Sequence, residues 1–365
     1  MAQAPRIIAD RVTRLRRVLR KHRIDRLLLT DPIDVGYMSG FTGDDSWLLT
    51  GKGKGWLVTD SRYDEQAEAE CPALRILVRR GSMIDALKTV VEQQRLTAIG
   101  FDPETVTVSL LGNLRRALRG VRLVPAPGLV KRLRVIKDES EVRAIRAAVR
   151  VAEHAFGEFR KKIRPGMTEM ALVAELEHQL RLAGSDGPAF PTIIAVDASA
   201  SMPHARPGGR RLKRGSILLV DFGAKVGGYV SDLTRVLLPG RIPPRIREAY
   251  ELVRAAQAAG IARVGPGVAF TDADAAVRGT IAAAGFGKAF QHGTGHGIGR
   301  QVHEAPSLGP RAPKGCLEPG MVVTVEPGVY FRGHFGIRIE DDVLVTPTGR
   351  DVLSHLEKDL EAVVW

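Results

Sequence analysis

Five residues in the second half of the chain have the types and spacing of a metal site: Asp221, Asp232, His296, Glu326 and Glu340. They lie in four segments, LLVDFGA (218–224), YVSDLTR (229–235), HGTGHGIG (292–299) and VVTVEPGVYFRGHFGIRIEDD (322–342). Four carboxylates and one imidazole suit two hard-to-borderline divalent cations held close together, a pairing that serves hydrolysis by acidifying water. A buried carboxylate is costly unless neutralised, and two divalent ions neutralise four of them. Any one of these acids alone reads as a turn or cap residue. The five in this arrangement read as one constellation.

Histidines cluster around it. HGTGHGIGRQVHEAP holds His292, His296 and His303, and Gly293, Gly295, Gly297 and Gly299 are expected to let the backbone approach a ligand closely. His204, in SMPHARP, is isolated, and His334 sits in a loop near the site. His22, His154, His178 and His355 fall on helical patterns and are assigned no role.

The elements that must position these residues follow from pattern. SILLVDFG is an apolar strand ending on an acid, and Asp221 and Asp232 are eleven residues apart around GAKVGGYV, a Gly-Gly turn region. A hairpin puts both acids on neighbouring strands facing one side. Glu326 and Glu340, fourteen apart around PGVYFRGHFG, predict a longer hairpin of the same kind. The two hairpins belong to an internal repeat. PGMTEMALVAELEHQLRLAG (165–184) and PGVAFTDADAAVRGTIAAAG (266–285) share their layout, with Thr168 and Thr271 as candidate helix caps. Gly215 precedes Asp221 by six residues, as Gly320 precedes Glu326. Two halves about a pseudo-two-fold axis, each lending acids, are expected.

The first part alternates strand and helix: a helix over 9–22, a strand over 25–30, a hairpin over 46–60, then strand, helix, strand and helix. LVPAPGLVKRLR (123–134) carries two prolines and marks a boundary. The domains expected are 1–130 and 131–365. Asp138 or Ser140 is expected to cap a long helix that follows.

Composition excludes several classes. At 365 residues, with 44% hydrophobic content, the chain has room for two cores. Cys71 and Cys316 make no disulfide framework, and there is no CxxC for a thiolate zinc site. MAQAPRIIAD lacks an apolar h-region, and no run approaches the ~20 residues of a membrane span, so a cytoplasmic protein is expected. The net charge is +13, with a dense basic run at Arg11, Arg14, Arg16, Arg17, Arg20, Lys21, Arg23 and Arg26. With Val12, Leu15 and Leu19 at helical spacing and no interleaved aromatics, it reads as a solvated helix face rather than a nucleic-acid surface.

These motifs, in this order, make 135–365 resemble the pita-bread metallopeptidases (M24), the family of methionine aminopeptidase, prolidase and aminopeptidase P. The whole chain resembles the prolidase and aminopeptidase P branch, and TDSRYDEQA (59–67) is similar to the creatinase-type N-domain. The fold implied is α/β (α+β): a creatinase-type N-terminal α/β domain, then a pita-bread catalytic domain with a pseudo-two-fold repeat. The resemblance implies two divalent ions, Mn²⁺ first, with Co²⁺, Fe²⁺ or Zn²⁺ as alternatives. It implies that Asp232 and Glu340 bridge them, that Asp221 chelates one, and that His296 with Glu326 holds the other. It also implies catalytic roles for His204, His303 and Glu326, and substrate binding by His204, His292, His303 and Arg338. The activity implied is hydrolysis of an N-terminal Xaa-Pro bond by a hydroxide shared between the ions, on peptides with proline second, in a homodimer. Many prolidases carry an arginine directly after the HEAP-like motif; here Ser307 follows HEAP and Arg311 comes later. That favours an Xaa-Pro aminopeptidase over a strict Xaa-Pro dipeptidase. A non-catalytic peptide- or nucleic-acid-binding protein on this fold is a third reading, and intact ligands count against it. The N-domain disfavours methionine aminopeptidase, and the five ligands disfavour creatinase-type chemistry.

Overall fold

The computed structural model describes residues 3–365, so the first two residues of the MAQAPRIIAD segment lie outside it. Two compact units divide the chain, Met1–Arg134 and Val135–Trp365.

The first unit contains α1 (Gln3–Lys21), β1 (Arg26–Leu29), α2 (Pro32–Ser39), β2 (Ser46–Gly51), β3 (Trp56–Thr59), α3 (Asp64–Glu70) and β4 (Arg75–Val78). It continues through α4 (Met83–Gln93), β5 (Ala98–Phe101), α5 (Val108–Ala117), β6 (Arg122–Pro125) and α6 (Leu129–Val135). Its six strands form one mixed sheet in the order β4-β3-β2-β1-β5-β6. β1, β2 and β3 pair antiparallel, and the outer pairings are parallel. After Arg26, β1 is three consecutive leucines because both faces are covered. Leu27 and Leu29 pack with Leu15 and Leu19 of α1, while Leu28 packs with Leu87 and Val90 of α4. Within 123–134, Pro125 ends β6 and the next residues turn into α6, at whose end the two units divide.

The second unit opens with α7 (Glu139–Lys162), capped by Asp138 in a capping box with Glu141. Then come α8 (Glu169–Leu182), β7 (Gly187–Pro188), β8 (Ile193–Val196), β9 (Leu218–Phe222), β10 (Ala224–Val226), β11 (Tyr229–Val230) and β12 (Leu233–Leu237). The second half repeats this plan with α9 (Pro244–Arg263), α10 (Phe270–Ala283), β13 (Gly295–Gly297), β14 (Glu304–Leu308), β15 (Val322–Val325), β16 (Gly328–Phe331), β17 (Phe335–Arg338), β18 (Asp341–Thr346) and β19 (Gly349–Val352). Thr168 caps α8 by accepting from the Ala171 N–H. Thr271 does not cap α10: that helix starts earlier, with Ala269 at its N-cap and Phe270 as its first residue.

The halves share one device. β9 and β12 pair antiparallel in a sheet β12-β9-β8, and the residues between them leave to form β10 and β11 in a different sheet. β15 and β18 pair antiparallel in a sheet β14-β13-β15-β18-β19, and the residues between them leave as the β16–β17 hairpin. Each acid pair therefore sits where two paired strands part. Gly227 and Gly228, both at positive φ, close the β10–β11 turn in the left-handed geometry that two-residue hairpin turns demand.

Candidate metal centre

Asp221 lies on β9 opposite Thr234 of β12, and Asp232 immediately precedes β12. Glu326 follows β15 and Glu340 precedes β18, next to the Val325–Asp341 pair. His296 is the middle residue of β13, which pairs with β15 through Gly297 and Val323. The two halves join at the site: Glu340 N–H donates to Thr234 O at 3.2 Å, an isolated antiparallel bridge. Glu326 N–H donates to Thr294 O at 2.8 Å, and Asp232 N–H donates to Asp342 Oδ2 at 3.1 Å. The backbone of each of these three acids is thus held by an acceptor from another segment.

Gly293 and Gly295 line the cavity, and Gly295 and Gly297 also allow close strand packing. A Cβ on Gly295 would stand 2.0 Å from Thr324 O, and one on Gly297 would stand 2.2 Å from Ala305 O. β13 lies too close to its two neighbouring strands for any side chain at these positions.

His296 Nε2 is 3.6 Å from Asp232 Oδ2 and 3.5 Å from Glu326 Oε1. Its Nδ1 faces Gly297 O at 3.2 Å, and a carbonyl only accepts, so the proton is on Nδ1 and the Nε2 lone pair faces the acids. One ligand atom each from Asp232, His296 and Glu340 lies within 4.8 Å of the others. Arg338, 3% exposed, holds the acids from behind: Nη2 donates to Asp221 Oδ2 and Nε donates to Thr234 Oγ1 at 3.1 Å. Thr234 Oγ1 in turn donates to Glu340 Oε2 at 2.6 Å.

Protein atoms alone leave this cluster under-compensated. Burial, then Glu340 and Asp221, push the Asp232 carboxyl well above its ordinary range. Burial and Glu340 do the same to Glu326, and burial with Asp221 pushes Glu340 up to about 8. Asp221 Oδ1 is buried with no hydrogen-bond partner. Burial, then neighbouring His303, pulls His296 down to about 4, keeping it neutral and able to ligate. A carboxylate crowd with an unfilled acceptor and a neutral imidazole facing inward is the donor set that divalent cations satisfy.

The cluster opens into a cavity of about 740 Å³. His204 and His303 are exposed on its wall, and the His303 ring stands edge-on to His296 with centroids 4.4 Å apart. His292 also lines the cavity, but both its ring nitrogens are engaged: Nδ1 donates to Gly293 O at 2.8 Å, and Nε2 accepts from Tyr330 Oη at 2.9 Å. Tyr330 Oη accepts from Arg338 Nη1 at 2.8 Å. With a further contact to Pro203 O, the Arg338 guanidinium donates to four protein acceptors, the geometry of a residue that holds Asp221 rather than a substrate. Phe190, Pro191 and Pro203 provide the apolar wall. Tyr229 Oη donates to Glu141 Oε1 at 3.0 Å, and Phe331 lines a separate recess with Arg245. Sequence reading missed Thr234 and the bridging role of Tyr330. Thr234 had one signal, its place two residues beyond Asp232, which puts both on one face of a strand.

Strand ladders that part around paired acids, a facing imidazole and an open cavity define a metal-dependent hydrolase with a pita-bread catalytic unit. The chain matches the profile of metallopeptidase family M24 over residues 143–347 and that of the creatinase/prolidase N-terminal domain over 11–136. It belongs to metallopeptidase family M24. It is 36% identical to the peptidase YqhT of Bacillus subtilis strain 168 over 350 residues, 96% of this chain and 99% of that one. Among solved structures it is similar to an Xaa-Pro dipeptidase from Bacillus anthracis, with 35% identity and a TM-score of 0.94, covering 98% of this chain and 100% of that one. It is also similar to an X-Pro aminopeptidase from Thermotoga maritima MSB8, with 35% identity and a TM-score of 0.88, covering 93% of this chain and 99% of that one. Among the described residues, no helix is long and apolar enough to cross a membrane.

Proposed function

We propose that the protein is a dinuclear metallopeptidase that hydrolyses the Xaa-Pro bond at the N-terminus of peptides. The carrying observation is the set Asp221, Asp232, His296, Glu326 and Glu340 at the floor of a peptide-sized cavity, with His204 and His303 on its wall. Bound there, two divalent cations, of which Mn²⁺ suits this oxygen-rich donor set, would acidify water and polarise the scissile carbonyl.

The chain's own residues do the rest. Glu326 takes a proton from the attacking water at a carboxylate oxygen and delivers it to the leaving nitrogen. That nitrogen belongs to the proline ring and carries no hydrogen in the substrate, so protonation is needed for it to leave as a secondary amine. His303 and His204 donate hydrogen bonds to the carbonyl oxygen as negative charge develops on it. Arg338 and Thr234 keep Asp221 and Glu340 oriented.

The aminopeptidase reading rests on cavity size and on Ser307, which lines the wall where many prolidases carry arginine. At about 740 Å³ the cavity is at the larger end of the roughly 300–1,000 Å³ typical of ligand sites, room for a chain continuing past the proline. Strict dipeptidase action has its own support: Arg206 and Arg311 are exposed cavity-lining cations suited to a terminal carboxylate. Assaying Xaa-Pro against Xaa-Pro-Yaa and longer peptides with added Mn²⁺ separates the two. Turnover of dipeptides alone selects the dipeptidase, and no turnover of any of them overturns the proposal.

A further inference from the structure

The charge of this chain is unevenly divided. Of the net +13, the first 134 residues carry +9, from 24 Lys and Arg against 15 Asp and Glu. Within that unit, seven cations fall between Arg14 and Arg26, with Asp25 the only acid among them. Nothing in the peptidase reading uses them.

Several elements bring cations to one place. Arg16 of α1 is fixed across the β2–β3 loop, with Nε donating to Gly51 O at 2.6 Å and Nη2 to Gly53 O at 2.8 Å. Arg26 of β1, 5% exposed, donates from Nη1 to Lys54 O at 3.0 Å. Arg75 of β4 pairs with Trp56 at the end of the same loop. Arg20 and Lys52 stand exposed at the rim. Arg16, Arg20, Lys52 and Gly53 line a recess of about 330 Å³ together with Leu19, Ile24 and Asp25. Asp25 meets Lys52 at 3.5 Å, but both side chains are mostly exposed and the pair is weak. Cations in the last turn of a helix suit its dipole, which accounts for Arg20 and Lys21. It does not account for Arg26, Lys52, Lys54 and Arg75, which other elements deliver. Burial first, then Arg16, lowers the basicity of Arg26; Asp25 acts the other way, ahead of a smaller lowering by Arg75.

We propose that the recess between the end of α1 and the 51–55 loop is a binding site for a phosphate-bearing anion, held by Arg16, Arg20 and Lys52. Guanidinium forks match phosphate oxygens, and a lysine adds a mobile point charge. No aromatic side chain lines the recess, so it offers no platform for a base or ring. What is recognised is the phosphate itself. The site is independent of the peptidase reading.

The test is calorimetric titration of the full-length protein at low ionic strength with sodium pyrophosphate and, in parallel, with a short single-stranded oligodeoxynucleotide. The comparison is Arg20→Ser with Lys52→Ser against Arg115→Ser with Arg116→Ser, which removes the same charge from exposed positions on α5. Saturable pyrophosphate binding, weakened roughly tenfold or more by the first pair and unchanged by the second, is the expected result. Oligonucleotide binding alone with that same dependence supports the site and makes a polymer the source of the phosphate. Absence of binding to both probes overturns the proposal, as does equal weakening by both pairs, which is the signature of a diffuse field. Thermal unfolding checks that each variant is folded, and the single Lys52→Glu change on the exposed loop repeats the test if the double variant is not.

Discussion

Thr234 Oγ1 donates to Glu340 Oε2 at 2.6 Å while accepting from Arg338 Nε at 3.1 Å, so one hydroxyl orients an acid from the other half of the catalytic unit. Thr234→Val keeps the shape and removes both bonds. Partners of this kind are worth roughly 10- to 100-fold in metal affinity. Competition with a chromogenic chelator should show a loss of that size with folding intact, and Thr234→Ser should recover most of it. Unchanged affinity in the valine variant would mean that Glu340 needs no such support.

His296 and His303 lie ring to ring yet should fail differently. His296→Ala removes the nitrogen that faces Asp232 and Glu326, and it is expected to abolish both metal retention and turnover. His303→Ala should lower kcat by roughly 10²–10³ while metal content, measured by elemental analysis, stays at the parent level. Metal loss in the second variant, or normal turnover, would reverse the assignment.

Stability of the metal-free protein should depend on pH in a particular window. Glu340 titrates at about 8 in the fold against 4.5 in a free chain, so the folded state holds more protons there and stability falls as pH rises. His292 and His296 act oppositely. Both are pulled down to about 4 from 6.5, so between those values the unfolded chain holds more protons and stability rises with pH. Above 6.5 the histidine contribution is complete and the carboxylates act alone. Chelator-treated protein should therefore lose stability from pH 6.5 to 8, by up to about 1.4 kcal/mol per pH unit for each proton involved, read as a falling Tm. Saturating Mn²⁺ should flatten that slope, because cations replace the protons. A metal-free Tm that holds steady or climbs across this window contradicts the carboxylate crowding.

Gly295→Ala should be severe, since its Cβ would press to 2.0 Å from Thr324 O within paired strands. A loss above about 4 kcal/mol, or failure to accumulate folded protein, is expected. Gly209→Ala, whose Cβ meets nothing within 4 Å, should be neutral or gain about 0.4–1 kcal/mol. Equal melting curves for the two variants would show that β13 has slack that its geometry denies.

That Asp221, Asp232, His296, Glu326 and Glu340 converge on one cavity was legible in the sequence because chemistry restricts it: few arrangements place four acids and an imidazole on apolar strand ends. The strand pairing of Asp221 with its partner was legible from spacing. The departure of the intervening residues into a second sheet was not, because a Gly-Gly turn fixes a hairpin without saying which ladder it extends. α2 escaped notice because DPIDVGYMSG is short and contains glycine; Pro32 at its first turn was the available clue. Thr234 and Tyr330 were hard to single out because a threonine and a tyrosine are ordinary strand residues. Their meaning arises only when Glu340, 106 positions away, and His292, 38 away, are folded beside them. The glycines beside His296 have a second use that spacing did not reveal: Gly295 and Gly297 also make room for neighbouring strands.

The bridge between Thr234 and Glu340 ties the arithmetic of one half to that of the other. Side chains alternate sides along a strand, so one residue added or lost between Arg338 and Val343 would turn Glu340 away from Asp232 and break the ladder with β15 in the same stroke. The tips of the hairpins β10–β11 and β16–β17 stand outside those ladders. Length can change there without disturbing the acids. The catalytic unit thus separates where a lineage is free to lengthen or shorten from where it must keep every residue in step.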